Sequence, residues 1–226
     1  MTIRILSAIE TLLRLILTVA IFFLLIAISA RLVMTRAFLT LEYNRSGFPS
    51  DPYGFTAEDR LYYAPYALDY LLYNEDIAYL EKLAFPNGFA LFNERELQHM
   101  KDVQQLTIMV FTAAVWAAVL VALVSLALAR AGRRAILLRA YRDAGLLALG
   151  VIVLTIVFAI TSWNAFFTGF HSAFFAEGTW YFAYSDTLIR LFPEQFWFDA
   201  AIAVGVLTGL GALGLIFVTW RVGRSA

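Results

Sequence analysis

Four apolar runs constrain this chain more than anything else in it: Leu15–Ala30, Leu106–Ala129, Ala144–Trp163 and roughly Ala200–Trp220. A helix rises 1.5 Å per residue, so about 20 apolar residues cross a hydrocarbon core of ~30 Å. Arg14 and Arg31 flank the first run and can extend their charged heads toward water. Composition agrees, because 62% of the 226 residues are hydrophobic and only 15% charged, where soluble domains carry about a quarter. The expected fold is all-α: four transmembrane helices with a helical extracytoplasmic domain between the first and second. The chain divides into a tail and first membrane helix (1–35), the outer helical domain (36–104) and a second membrane helix (105–129). An arginine-rich loop (130–143), a third membrane helix (144–163), an aromatic outer loop (164–199) and a fourth helix with its tail (200–226) follow.

Charge sets the orientation. The stretch 130–142 holds Arg130, Arg133, Arg134, Arg139 and Arg142 and no acid, while Arg4, Arg14, Arg221 and Arg224 lie near the two ends. Short basic loops stay in the cytoplasm, so both termini are expected inside and residues 36–104 and 164–199 outside. Those outer segments hold 15 of the 17 acidic residues but 7 of the 17 basic ones. Arg31 and Arg36 sit at the wrong end of the first helix for this rule, and the five-arginine loop outweighs them. "AISA" loosely fits a signal-peptide cleavage site, but the apolar core before it exceeds the usual 7–15 residues, so an uncleaved anchor is expected. The setting implied is a bacterial cytoplasmic membrane with phospholipid around the chain.

The zero net charge averages a basic inner face with an acidic outer one. Its basic residues read as membrane anchors, so no nucleic-acid partner is expected. Cysteine is absent, which excludes disulfides, thiolate nucleophiles and cysteine-bound metal.

Residues 36–104 exceed the length of a structureless loop and carry helix signals. Thr56 with Asp59 forms a near capping box opening "EDRLYYAPYALDYLLY", where Pro65 is expected to kink or interrupt the helix. "NEDIAYLEKLAF" reads as a shorter helix ended by Pro86-Asn87-Gly88. Asn93 with Glu96 is a fuller capping box, and Phe92 with Leu97 a staple. The helix it starts has no stop signal before Ala129, so His99 rides on the second turn of a rod that enters the membrane. Segment 164–199 is crowded with aromatic rings, more than an interfacial belt needs, and reads as a surface at headgroup depth or the wall of an apolar cleft. In the fourth membrane helix, Gly205 and Gly209 are four apart, a small-residue face for helix packing.

His99 and His171 are the only histidines, and the topology puts both outside, each near a membrane entry. Glu96 and Asp102 share the helical face of His99, with Arg95 four residues before it. A neighbouring carboxylate orients an imidazole and raises its basicity. Glu177 and Asp186 are available to His171 or a substrate amine, and Trp163 and Asn164 offer hydrogen bonds at the outer end of the third helix. Asn93 reads as structure; Glu96 and Asp102 are equally readable as a cap partner and an interfacial acid. Three classes of function remain open on the residues: acyl or proton transfer on an amphiphile, bis-histidine haem ligation, and a scaffold without chemistry. Metal hydrolysis is weaker, since two histidines need at least one carboxylate ligand besides and no His-rich motif exists, and Ser172 lacks a nucleophile-elbow frame.

The segments "GFTAEDRLYYAPYALDYLL", "LFNERELQHMKDVQQL" and the Phe-His of "FTGFHSAFFAEGTW" carry a resemblance. In them, and in its order of membrane helices, the chain resembles the lipoprotein intramolecular transacylase (Lit) family of four-helix bacterial membrane proteins. The resemblance implies a substrate lipoprotein whose N-terminal cysteine bears a thioether-linked diacylglyceryl group and a free α-amine. The sn-2 acyl chain would move to that amine, leaving a lyso-form lipoprotein. It places the family's two histidines on His99 and His171 and implies no cofactor, no metal and no obligate protein partner. His99, oriented by Glu96 or Asp102, would serve as base and His171 would stabilise the oxyanion, an order that can be exchanged. Arg60, Tyr62 and Arg95 are candidate contacts for the head of the substrate. Phe170 and Trp180, in the aromatic run, are candidates to line the cleft for its acyl tails.

Overall fold

The computed structural model describes Thr2–Arg224, with side chains from Ser7 onward; the Arg4 side chain, used above for orientation, lies outside the described residues. Among these residues the chain is all-helical: α1 (Thr2–Val33), α2 (Arg36–Asn44), α3 (Ala57–Tyr73), α4 (Ala78–Glu81), α5 (Glu94–Arg130), α6 (Arg134–Thr161), α7 (Trp163–Phe174), α8 (Thr187–Leu191) and α9 (Glu194–Arg224). α1, α5, α6 and α9 are long and apolar enough to cross a membrane. Their outward residues are apolar and uncovered, as with Trp116 at 68%, Leu154 at 71% and Ile160 at 73% exposure. Such a surface suits lipid, not water. At 37 residues α5 is about 55 Å long, well beyond one hydrocarbon core. Its apolar stretch begins at Leu106, so the polar turns Glu94–Gln105 stand outside the spanning part.

The chain forms two compact units. The first comprises the N-terminal stretch to Ala30, Phe111–Phe158 and the stretch from Ala203 onward. Leu17, Ile21, Leu128, Ala140 and Ala144 make its buried centre. Gly145 lets α6 and α9 touch: a Cβ there would lie 2.8 Å from both the Ala212 carbonyl oxygen and Ile216 Cγ1. Gly211 likewise faces Leu25, 2.9 Å from the place of its missing Cβ. The expected packing face of Gly205 and Gly209 needs correcting. Gly205 meets nothing within 4 Å and Gly209 only Ile152 at 3.9 Å, because the close approach falls on α6 and on the Gly211 side of α9.

The second unit comprises Arg31–Val110 and Ala159–Ile202, so the large segment before α5 and the aromatic segment after α6 fold as one body. Leu39, Tyr43, Tyr63, Leu68, Leu80 and Met100 share a core with Leu188, Leu191, Phe192 and Phe196. Polar links cross the same seam. Tyr43 donates to the Leu191 carbonyl at 2.9 Å, Arg45 pairs with Asp199, and Arg190 pairs with buried Asp51 at 2.9 Å.

Local signals explain the elements. Thr56 Oγ1 accepts from the Asp59 amide and Asp59 Oδ2 from the Thr56 amide, which starts α3. α3 ends at Asn74 in the left-handed region, φ 54°. It runs through Pro65 unbroken, because Ala64, Ala67 and Leu68 are buried around the lost hydrogen bond. "NEDIAYLEKLAF" shrinks to the single turn α4, followed by a reversal at Gly88, φ 86°, that pairs Ala84 with Ala90. The segment 164–199, which reads as a loop in sequence, holds α7 and α8. α7 is separated from α6 by Ser162, whose backbone (φ −158°, ψ 78°) is not helical.

Candidate active site

His99 stands on the second turn of α5, fixed by the cap at its start. Asn93 Oδ1 accepts from the Arg95 and Glu96 amides at 3.0 and 3.1 Å, and Glu96 Oε2 accepts from the Asn93 amide at 2.8 Å. The other Glu96 oxygen accepts from the Leu188 amide at 2.5 Å. That buried carboxylate therefore bolts the start of α5 to α8. Burial pushes the Glu96 carboxyl up against the pull of those amides.

His171 stands on the third turn of α7, with its ring centroid 6.2 Å from that of His99 and the planes 24° from parallel. Its Nδ1 lies 2.8 Å from the Phe167 carbonyl oxygen. A carbonyl oxygen only accepts, so Nδ1 carries the proton and Nε2 keeps the lone pair. The rings of Phe167 at 4.1 Å, Trp180 at 4.8 Å and Phe175 at 5.7 Å surround His171. Phe175 and Phe182 sit edge-on to His99 at 5.0 and 5.3 Å. In this apolar nest burial disfavours the imidazolium. The His99 pKa is pushed down to about 4 by desolvation and then by His171, against Asp102. That of His171 is also lowered by desolvation, against the Phe167 hydrogen bond. Burial thus favours the neutral form of both rings.

Three buried polar atoms in this region have no hydrogen-bond partner: His99 Nδ1, Trp180 Nε1 and Trp163 Nε1. Unpaired buried polar atoms are rare in native proteins, and two of these three flank His171.

The structure gathers some of the sequence candidates here and disperses others. Glu96 serves its two amides, and Asp102 accepts from Gln98 Nε2 at 3.0 Å; neither hydrogen-bonds the His99 ring. Asp186, considered for His171, accepts from the Ala183 amide and Asn93 Nδ2. Arg95 reaches the Tyr181 carbonyl at 3.4 Å. Phe170 packs on His171 at 5.6 Å, and Trp163 packs on Phe166, Phe167 and Phe198. Arg60 is buried, donating to the Arg190 and Pro49 carbonyls, and Tyr62 packs edge-on against Tyr63 and Tyr66; both belong to the α3 packing. Asn164 and Glu177 are exposed. Phe167, Phe175 and Phe182 stand out in the sequence only as members of the aromatic run, as surface at headgroup depth or the wall of an apolar cleft, and not as partners of the histidines. The i, i+4 spacing of Phe167, His171 and Phe175 along one helical face is the signal that finds the first two.

The sequence model of the family "Lipoprotein intramolecular transacylase Lit" matches residues 14–197. The chain belongs to this family. It is thus a membrane acyltransferase of the Lit kind with lipoproteins as substrates, not a haem carrier or a scaffold. A protein of Aquifex aeolicus (strain VF5), described only as uncharacterized, is 30% identical over 206 residues, 91% of this chain and 92% of its own. The solved structure of the membrane integral lipoprotein intramolecular transacylase Lit from Bacillus cereus superposes with a TM-score of 0.81. It covers 97% of this chain and 100% of its own, at 17% identity. A form of that protein with a histidine replaced by arginine gives a TM-score of 0.77, again at 17% identity, over 99% of this chain and 96% of its own. At that identity the likeness establishes the Lit fold, with its four membrane helices and helical insert.

Proposed function

We propose that this transacylase moves the sn-2 acyl chain of an S-diacylglyceryl-cysteine lipoprotein onto the α-amine of the same cysteine. The observation that carries the reading is the pair of imidazoles, His99 and His171, held face to face in an apolar nest of a Lit-family chain. The amine adds to the ester carbonyl carbon, forming the C–N bond and a tetrahedral intermediate whose nitrogen is cationic and strongly acidic. His171 Nε2 takes that proton, which a base of lowered basicity can still do. The bond from the carbonyl carbon to the glyceryl sn-2 oxygen then breaks, and the imidazolium returns the proton to the departing alkoxide. The products are an amide, a free sn-2 hydroxyl and the untouched sn-1 ester.

His99 Nδ1 accepts an N–H of the incoming amine and aims its lone pair at the carbonyl. Because amine and ester are already joined, alignment supplies much of the acceleration, on the order of 7 kcal/mol or more in the best intramolecular cases. That is why no serine or cysteine nucleophile is needed. The exposed rings of Phe170 and Phe174 offer apolar surface to the acyl tails.

The reaction takes place at the extracytoplasmic face, with both chain ends in the cytoplasm. Supporting this, Glu10 pairs with Arg133 at 3.0 Å and Arg14 with Asp143 at 2.6 Å, so the start of α1 shares a side with the arginine-rich loop. The test is mass spectrometry of lipopeptides from a host lacking other N-acylation. The chain should yield the lyso form and its His99→Ala and His171→Ala variants should not; acyl transfer that survives in both variants would sink the reading.

A further inference from the structure

Resting on that reading, we infer that the indole N–H of Trp180 is the hydrogen-bond donor that receives the negative charge developing on the ester carbonyl oxygen. Acyl transfer turns this oxygen into an oxyanion, and a donor fixed in a water-excluded site stabilises it most effectively. His171 does not fill that role as it enters the reaction. Its N–H is committed to Phe167, and Nε2 has a lone pair, not a proton. Arg95, one helical turn before His99, is committed too, to the Tyr181 carbonyl.

Trp180 has what these lack. The residue is only 6% exposed, its ring lies 4.8 Å from that of His171 at 33° to it, and its Nε1 is buried without a partner. An indole nitrogen is a donor only, so it discriminates between an oxyanion and the amine nucleophile. The second unpaired indole, Trp163, touches the Phe167 ring at 6.0 Å, one layer further out. Trp180 therefore supplies the charge-stabilising contact while His171 moves the proton.

The experiment compares wild type, Trp180→Phe and a protein carrying benzothienylalanine at position 180, which keeps the bicyclic ring and replaces N–H by sulfur. The full chain in phospholipid vesicles is given a synthetic S-diacylglyceryl-cysteinyl peptide, and separately the diether analogue that lacks both carbonyls. Both altered proteins should lose kcat by roughly 100-fold or more, the size of effect seen when one oxyanion donor is removed. KM and diether binding should stay near wild type. A benzothienylalanine protein that works at the wild-type rate overturns the inference, including when Trp180→Phe is slow or misfolded. Equal losses of diether binding overturn it as well, by assigning Trp180 to packing. A wild-type chain that forms no lyso product removes the underlying transacylase reading too, whereas an active wild type with fully active variants removes this inference alone.

Discussion

The His99 and His171 rings lie 6.2 Å apart and nearly parallel, one carried by α5 and the other by α7. No hydrogen bond or ion pair joins them. The ring of Phe175 touches both, at 5.0 and 5.7 Å, and their spacing is set by the packing of the second unit. Two imidazoles that act on one substrate should behave as a unit when removed. His99→Ala, His171→Ala and the double variant should therefore lose similar amounts of activity, far from the product of the two single losses. Rates of lyso-form production by the three proteins check this; multiplicative losses would mean independent roles.

Burial lowers both histidine pKa values, that of His99 to about 4. A lowered value means the neutral, proton-accepting form persists below the ordinary 6.5 and is lost only as pH falls toward the depressed value. The substrate α-amine titrates near 7.7–8.0 and is reactive above that. The rate should thus rise with pH toward about 8, and any histidine step should fall below the ordinary 6.5. Measured on a synthetic lipopeptide, a clear inflection at pH 6.5 would mean that the rings are not desolvated.

On the proposed reading Glu96 acts through position, because both of its oxygens are taken by backbone amides. Glu96→Ala leaves the amides of Asn93 and Leu188 without their acceptors, at about 1–3 kcal/mol each when buried. Thermal unfolding in detergent should show a loss on the order of 3 kcal/mol, with Glu96→Gln milder because one amide oxygen remains. Catalysis should fall through displacement of His99, with the pH profile of the remaining activity unchanged.

Asp51 and Arg190 give the second unit an acid-sensitive tie. Burial alone would raise the Asp51 carboxyl, but the Phe55 amide, Arg190 and the Tyr53 amide hold it below its ordinary 3.8. The stabilisation is thus present above the unfolded value and lost as pH falls through the folded one. Asp51→Asn should destabilise the protein at pH 7 and reduce the acid dependence of its unfolding below pH 4.

The sequence reveals what is local or periodic. Membrane helices show themselves by apolar length, and the caps at Thr56 and Asn93 by residues three apart, because a cap is made within one turn. α7 is hidden because no proline or glycine marks the break at Ser162, and the polar Thr161, Ser162 and Asn164 there read as the end of the membrane helix and not as the start of a second one. The second partner of Glu96, the Leu188 amide, comes from a distant part of the chain, so nothing near Glu96 announces it. The proposed exchange of roles between the histidines is equally non-local in origin. Only the folded nest shows that His99 lacks a carboxylate on its ring while His171 has a carbonyl on its Nδ1.

Helix packing in the first unit is set by non-local contacts in the same way. Small residues alone do not say which face a helix turns to its neighbour, so Gly205 and Gly209 look as suitable as Gly145. In the fold a methyl group at Gly145 would lie 2.8 Å from a backbone oxygen and from Ile216, whereas one at Gly205 meets nothing. Gly145→Ala should force α6 from α9 and cost about 1–3 kcal/mol, the usual penalty of overpacking. Gly205→Ala should be neutral or slightly stabilising, since alanine is the better helix former. Unfolding of both variants in detergent micelles separates the cases, and a destabilised Gly205→Ala beside an unaffected Gly145→Ala would show that the α6–α9 contact is not the one described.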